Sequence, residues 1–174
     1  MTRFSDLLTY EPVLHLRCNH ALEHATLQIL SNSHPTLRLA GYADAWGFWV
    51  VGQVSTDSLA GAVEEALARL RRGEAGLAIH PYCGTNFLAS GVLAGSAAWL
   101  GMLGVGRGFS KKLDRLPVVI LLVTLALILG RNIGPMLQAR LTTSAQVDKL
   151  EVVRLVKNMR KGLPVHRVVT KLNE

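Results

Sequence analysis

Cysteine is scarce in this chain of 174 residues, which contains only Cys18 and Cys83. Two cysteines are too few for a framework of several disulfides, although a single bridge between them is possible. The first residues also lack a continuous apolar run behind Arg3, so we expect no cleavable signal peptide. Together these absences predict that the soluble part of the chain lies in the cytoplasm.

Acidic residues are few as well: 12 Asp and Glu stand against 19 Lys and Arg, which gives a formal net charge of +7. In a soluble protein this balance favours nucleic-acid binding. The chain also contains long apolar stretches, and basic residues beside a bilayer usually set topology and contact anionic headgroups. We therefore predict a lipid bilayer, and no nucleic acid, as a partner of this chain.

Charge is missing altogether between residues 84 and 106, and a second apolar stretch covers 116–137 with Arg131 in its last third. A spanning helix needs about 20 apolar residues, so we predict a transmembrane hairpin of two helices over residues 84–137. We expect Arg131 to anchor its helix at the membrane boundary. The alternative is that Arg131 takes part in a buried polar site. Gly91 and Gly95, four residues apart, would allow the two helices to approach closely.

The distribution of basic residues leaves the orientation open, because the loop between the apolar stretches and both soluble flanks are basic. Without an export signal we expect both termini inside, at the inner (cytoplasmic) membrane. The glycine-rich first stretch favours packing against other helices, and so a homo-oligomer or a larger membrane complex.

Residues 1–83 predict a small α+β domain with the element order α-β-β-α-β, in which two helices cover one face of a sheet. The predicted elements are a first helix near 5–8, a helix over 20–30 capped by Asn19, strands at 36–40 and 47–54, a helix from Thr56 or Asp57 to Gly73, and a third strand at 75–80.

The tail, residues 138–174, predicts a basic amphipathic helix that starts near Ser144 and ends at Gly162, followed by a short strand within 165–172. Such a helix after a membrane span either lies on an anionic surface or docks on the parent domain.

The residues best suited to metal binding or catalysis lie in the segment His20-Ala21-Leu22-Glu23-His24. On a helix, residues four apart share a face, so the imidazoles of His20 and His24 can reach one metal ion. Glu23, three residues after His20, is placed where its carboxylate could take a proton from water. The alternative is a set of polar helix residues satisfied by hydrogen bonds in the core.

This H-x-x-E-H order is the inverted zinc-peptidase pattern, and residues 17–72 resemble a shortened pitrilysin and insulin-degrading domain. The resemblance implies His20 and His24 as zinc ligands and Glu23 as the general base. It also implies a third ligand from a downstream glutamate, at a distance where this chain has only apolar residues. The substitutes are His80 and Cys83, with Glu64, Glu65 and Glu74 as weaker candidates that fit solvated positions better.

A second resemblance joins Asn19 to His24 with His80 to Asn86, and extends to Leu141-Thr142-Thr143-Ser144. These NHxxEH and HPxCGTN motifs beside two spans look like an uncharacterised bacterial membrane-protein family, which implies no activity.

Two functions are therefore expected. The first is a membrane-anchored zinc-dependent hydrolase, most simply a peptidase. The alternative is a non-enzymatic small subunit or assembly factor of a membrane complex, with a structural metal or none.

Overall fold

The computed structural model describes residues 4–173, with helices and an antiparallel sheet. The chain forms two compact units, Met1–His80 with Ala139–Glu174, and Pro81–Gln138. The tail therefore belongs to the same unit as the N-terminal residues, which matches the docking alternative for it.

The first unit contains three helices, one short 3-10 turn and four strands. They are α1 (Phe4–Thr9), α2 (Glu11–Ser33), β1 (Ala40–Asp44), β2 (Gly47–Val51), α3 (Thr56–Arg71), the turn Ala75–Ala78, β3 (Leu150–Arg160) and β4 (Leu163–Leu172).

Helix α2 is much longer than the predicted helix over 20–30, and the prediction that Asn19 caps it is wrong. The helix starts at Glu11, and Pro12 occupies its first turn, where the missing N–H costs nothing. Asn19 lies fully buried in the middle of the helix, donates to the carbonyl of Asp44 at 2.9 Å and accepts from Thr170 at 2.6 Å. Asn19 therefore joins α2 to the sheet and does not cap the helix.

The sheet has the order β1-β2-β4-β3, and every pair is antiparallel. The predicted C-terminal helix is wrong, because the tail forms the hairpin β3–β4, which supplies half of the sheet. Lys161 and Gly162 join the two strands with φ angles of 50° and 80°. Two consecutive left-handed residues make a turn whose twist matches that of paired strands.

Two further predicted strands are also wrong. Only the last residue of 36–40 is in a strand, and β1 continues through Asp44, where a connection was expected. The predicted strand at 75–80 is the 3-10 turn followed by an extended Ile79. Strand β2 and helix α3 are confirmed, although β2 ends at Val51 and the side chain that caps α3 is Ser55.

The core of this unit lies between the sheet and the helices α2 and α3. Phe48 and Val50 on β2 and Val168 on β4 are fully buried, as are Leu22 of α2 and Leu59 of α3. Alternate residues of a strand face opposite sides, so Trp49 and Arg167 point to the other side of the sheet.

The second unit is a helical hairpin, α4 (Gly84–Met102) and α5 (Phe109–Leu137), and α5 continues into a π-helical turn, Gln138–Thr142. The helix Phe109–Thr142 is, within the described residues, the one long and apolar enough to cross a membrane, with a mean hydropathy of 2.2 over its best window. Only 11% of its most apolar stretch is buried within the described chain. Arg131 is exposed near its end, so within the described residues it does not line a buried polar site.

Close packing within the hairpin depends on glycines other than the predicted pair. A Cβ on Gly91 or Gly95 would meet no atom within 4 Å. A Cβ on Gly130 would lie 2.7 Å from Ser90 Oγ and 3.2 Å from Ser90 Cα. The glycines at which the two helices come together are therefore Gly130 and Gly134 of α5 and Gly101 of α4.

We expect Gly130→Leu to destabilise the hairpin by about 1–3 kcal/mol, because the side chain would overlap the backbone of α4. Gly95→Leu is the matched control, since the same side chain enters open space. Thermal unfolding of the full-length protein in detergent measures both variants. Equal loss of stability in the two would contradict this packing.

Candidate metal centre

Three polar residues at four-residue spacing, His20, His24 and Gln28, form a stripe along α2, which is otherwise largely apolar on its buried side. This spacing stacks the side chains on one face of a helix. We call this set the polar stripe. Its members contact two distant parts of the chain.

His24 and Gln28 hold the segment that follows α3. The Nδ1 atom of His24 lies 2.7 Å from the carbonyl oxygen of Ala78. The amide of Gln28 donates to the carbonyl oxygens of Leu77 at 2.8 Å and Ile79 at 3.1 Å. The carbonyl groups of three consecutive residues thus find their hydrogen-bond partners on α2. Because these groups are satisfied, the segment does not need to pair with a strand.

His20 contacts the segment that follows α5. Its Nδ1 atom lies 2.9 Å from the carbonyl oxygen of Thr142. Neighbouring bonds fix the same segment, since Arg17 donates to the carbonyl of Thr143 and the amide of Ser144 donates to the carbonyl of Arg17.

These contacts determine the tautomer of both imidazoles. A carbonyl oxygen can only accept, so each ring has a proton on Nδ1, and in the neutral imidazole the lone pair is then on Nε2. A histidine that ligates a metal commonly has this arrangement, because a carbonyl on one ring nitrogen orients the other toward the ion. The rings of His20 and His24 lie 4.2 Å apart between centroids.

His20, His24 and Cys83 lie close enough to hold a metal ion, since one ligand atom from each is within 4.8 Å of the others. Zinc bonds imidazole nitrogen and thiolate sulfur at about 2.0–2.3 Å, so a small adjustment of the side chains suffices for a shared ion. Cys83 is buried and forms no disulfide. Only two residues separate it from His80.

His80, the other predicted third ligand, has its ring 5.5 Å from that of His24 between centroids. It is near the pair but outside the group of three. Of the two candidates left open by the sequence, Cys83 is therefore the better placed.

Glu23 is 5% exposed and lies beneath β1. A Cβ on Gly41 would come within 2.6 Å of Glu23 Cδ and would overlap the carboxylate. Gly41 is thus the residue that makes room for Glu23. The carboxylate is not part of the group of three, which fits a role other than ligation.

The weaker candidates are confirmed as solvated residues of α3 and the turn after it. Glu64 is exposed, while Glu65 and Glu74 form ion pairs with Arg69. Hydrogen bonds from Arg69 lower the pKa of Glu74, so its charge is already compensated. Cys18 is buried among core residues, where burial raises the pKa of its thiol and makes it a poor ligand.

The sequence did not reveal the carbonyls of Ala78 and Thr142, nor the role of Gly41. The first two contact residues 54 and 122 positions away in the chain. The one sequence signal for these contacts is the four-residue spacing of His20, His24 and Gln28, because it predicts a polar helix face whose side chains need hydrogen-bond partners.

The comparison with protein families matches residues 15–155 to a domain of unknown function, DUF6391. The chain belongs to the DUF6391 family. The matched range includes the polar stripe, His80 and Cys83, so the candidate centre is part of the DUF6391 domain. The expectation of an uncharacterised family is confirmed, whereas the resemblance to a metallopeptidase remains an interpretation of the motif.

An uncharacterised protein of Picosynechococcus sp. is 42% identical over 101 residues, which cover 51% of this chain and 49% of the relative. The chain thus spans about half the length of the curated relative it matches. No solved structure matches the chain.

We expect the full-length protein, purified without a histidine tag, to contain about one equivalent of metal by elemental analysis. His24→Ala should lose most of it, because one of three ligands and its orienting carbonyl contact are removed. His34→Ala is the control, since His34 is exposed at the end of α2. Wild-type protein without stoichiometric metal, or equal loss in both variants, would contradict the assignment.

Proposed function

We propose that the protein is a membrane-anchored zinc-dependent hydrolase that cleaves peptide bonds. The observation that carries the proposal is the shared setting of His20 and His24. Both imidazoles point Nδ1 at a backbone carbonyl, and one nitrogen of each lies within 4.8 Å of the sulfur of Cys83. Two nitrogens and one sulfur are ligands that zinc prefers, and three protein ligands are the number found in catalytic sites.

His20, His24 and Cys83 would hold the ion, which when bound lowers the pKa of water and polarises a carbonyl group. The residues of the chain supply orientation. Ala78 and Thr142 fix the two imidazoles through their carbonyls, and α2 keeps the ligands on a rigid element.

Glu23 would act as the general base that takes a proton from the attacking water. Glu23 is adjacent to His24 and three residues after His20, a spacing at which its side chain neighbours that of His20 on α2. Gly41 supports this role by leaving space for a carboxylate that is nearly buried. A buried carboxylate outside the ligand group suits proton transfer better than metal binding.

Both α4 and α5 would cross the inner membrane, with the termini in the cytoplasm. The supporting features are the apolar length of α5 and the close packing of α4 against it. Exposed apolar side chains on α4, such as Phe87, Leu88 and Val92, are better accommodated by lipid than by water.

His80 favours a second candidate, a non-enzymatic subunit of a larger or homo-oligomeric membrane complex. Its ring lies close to His24, and a fourth protein ligand would close the centre. A closed site of four ligands is structural, because no position remains for a substrate.

Glu23→Gln separates the two candidates, because it removes the base and keeps the shape of the side chain. We expect retained zinc and a loss of at least about 100-fold in the cleavage of a fluorogenic peptide library by the protein in nanodiscs. Glu64→Gln is the control, since that glutamate is exposed on α3.

Cleavage by Glu23→Gln at the wild-type rate would overturn the role of Glu23. No cleavage by zinc-loaded wild type would contradict the hydrolase and favour the structural subunit.

A further inference from the structure

The side of the sheet that faces away from α2 and α3 carries aromatic and basic side chains. Tyr42 of β1 pairs with Trp49 of β2, and Trp49 pairs with Arg167 of β4, so the three lie side by side in one row. The core helices α2 and α3 pack on the opposite side, toward which the neighbours Phe48 and Val50 point. We call this side the open face.

A cavity of about 810 Å³ lies on the open face at the end of the β3–β4 hairpin. We call the apolar and aromatic part of its lining the floor and the exposed Arg160 and Lys161 its edge. The floor contains Tyr42, Trp49, Val51 and Val165. This volume is in the range of sites for small molecules and lipids.

Trp49 is held in place by a charged pair. The guanidinium of Arg167 lies 4.8 Å from the ring centroid of Trp49. It also donates two hydrogen bonds, of 2.7 and 2.8 Å, to the carboxylate of Asp44. Burial alone would raise the pKa of Asp44, but the hydrogen bonds from Arg167 lower it, so the pair stays charged. The charge of Arg167 is therefore compensated within the sheet.

The charges of Arg160 and Lys161 are not compensated in this way. Both are exposed, and within residues 4–173 neither takes part in an ion pair. No acidic residue of the described chain lines the cavity. Its electrostatic field therefore favours an anion at the edge, above an apolar floor.

Exposed apolar side chains surround the same cations. Met159 is 62% exposed and Leu163 is 47% exposed, on either side of the turn. Tyr42 is exposed as well. Aromatic and aliphatic side chains interleaved with Lys and Arg are typical of surfaces at the boundary between lipid and water.

We propose that this cavity binds an anionic phospholipid, with an acyl chain against Trp49 and Tyr42 and the phosphate at Arg160 and Lys161. The apolar floor excludes a free phosphate as the preferred ligand, because most of the cavity would then stay unfilled. The bilayer is the source of the lipid, since the same chain contains a helix long and apolar enough to cross one. Lipid binding at this cavity does not depend on the metal centre, since the two involve different residues.

The test uses the full-length protein with Trp49 as its single tryptophan, Trp46→Phe and Trp99→Phe, in phosphatidylcholine nanodiscs. Brominated acyl chains quench a tryptophan that they touch. We expect brominated phosphatidylglycerol to quench Trp49 far more than brominated phosphatidylcholine at the same mole fraction. Two cations near a membrane surface correspond to a preference of roughly 30-fold.

The double variant Arg160→Ala, Lys161→Ala should abolish this preference. Its control is Lys111→Ala, Lys112→Ala, which removes the same charge from exposed positions at the start of α5 and should leave the preference unchanged. Equal quenching by the two brominated lipids, or no quenching by either, would overturn the proposal. An unchanged preference in the Arg160 and Lys161 variant would overturn it as well.

Discussion

The contacts between the polar stripe of α2 and the backbone carbonyls of two distant segments organise the candidate centre. His24 and Gln28 hold the segment 77–79, and His20 holds Thr142. These bonds satisfy buried carbonyls that have no strand partner, so they contribute to folding. In the neutral imidazoles the same bonds put both lone pairs on Nε2. Folding and the proposed metal binding therefore depend on one set of hydrogen bonds, which accounts for the polar residues on this face of the helix.

Short patterns predicted some local features and missed others. The four-residue spacing of His20 and His24 was enough to predict a common face. By contrast, the basic residues of the tail predict a helix, although its Val152-Val153 and Val168-Val169 pairs favour a strand. The tail instead forms the local hairpin β3–β4, and β4 also pairs with β2, a partner more than a hundred residues earlier in the chain. The contacts of the Ala78 and Thr142 carbonyls could not be predicted either. Every residue has a carbonyl group, and only the folded structure shows which two lie beside the histidines.

The sheet has different surfaces on its two sides. One side packs against α2 and α3 and places Gly41 over Glu23, so it belongs to the candidate centre. The open face combines Trp49, a fixed Arg167 and the cations of the β3–β4 turn. Because the tail supplies β3 and β4, it contributes to both sides. The basic tail, whose composition predicts a surface helix, instead forms a hairpin with Arg160 and Lys161 at its turn.

We propose that His20, His24 and Cys83 form an open zinc site, which X-ray absorption spectroscopy at the zinc edge of the full-length protein can detect. An open site predicts two imidazole nitrogens at about 2.0 Å, one sulfur at about 2.3 Å and one further oxygen. In Cys83→Ser the sulfur contribution should disappear. A spectrum without sulfur, or one with three imidazoles and one sulfur, would contradict the proposed open site.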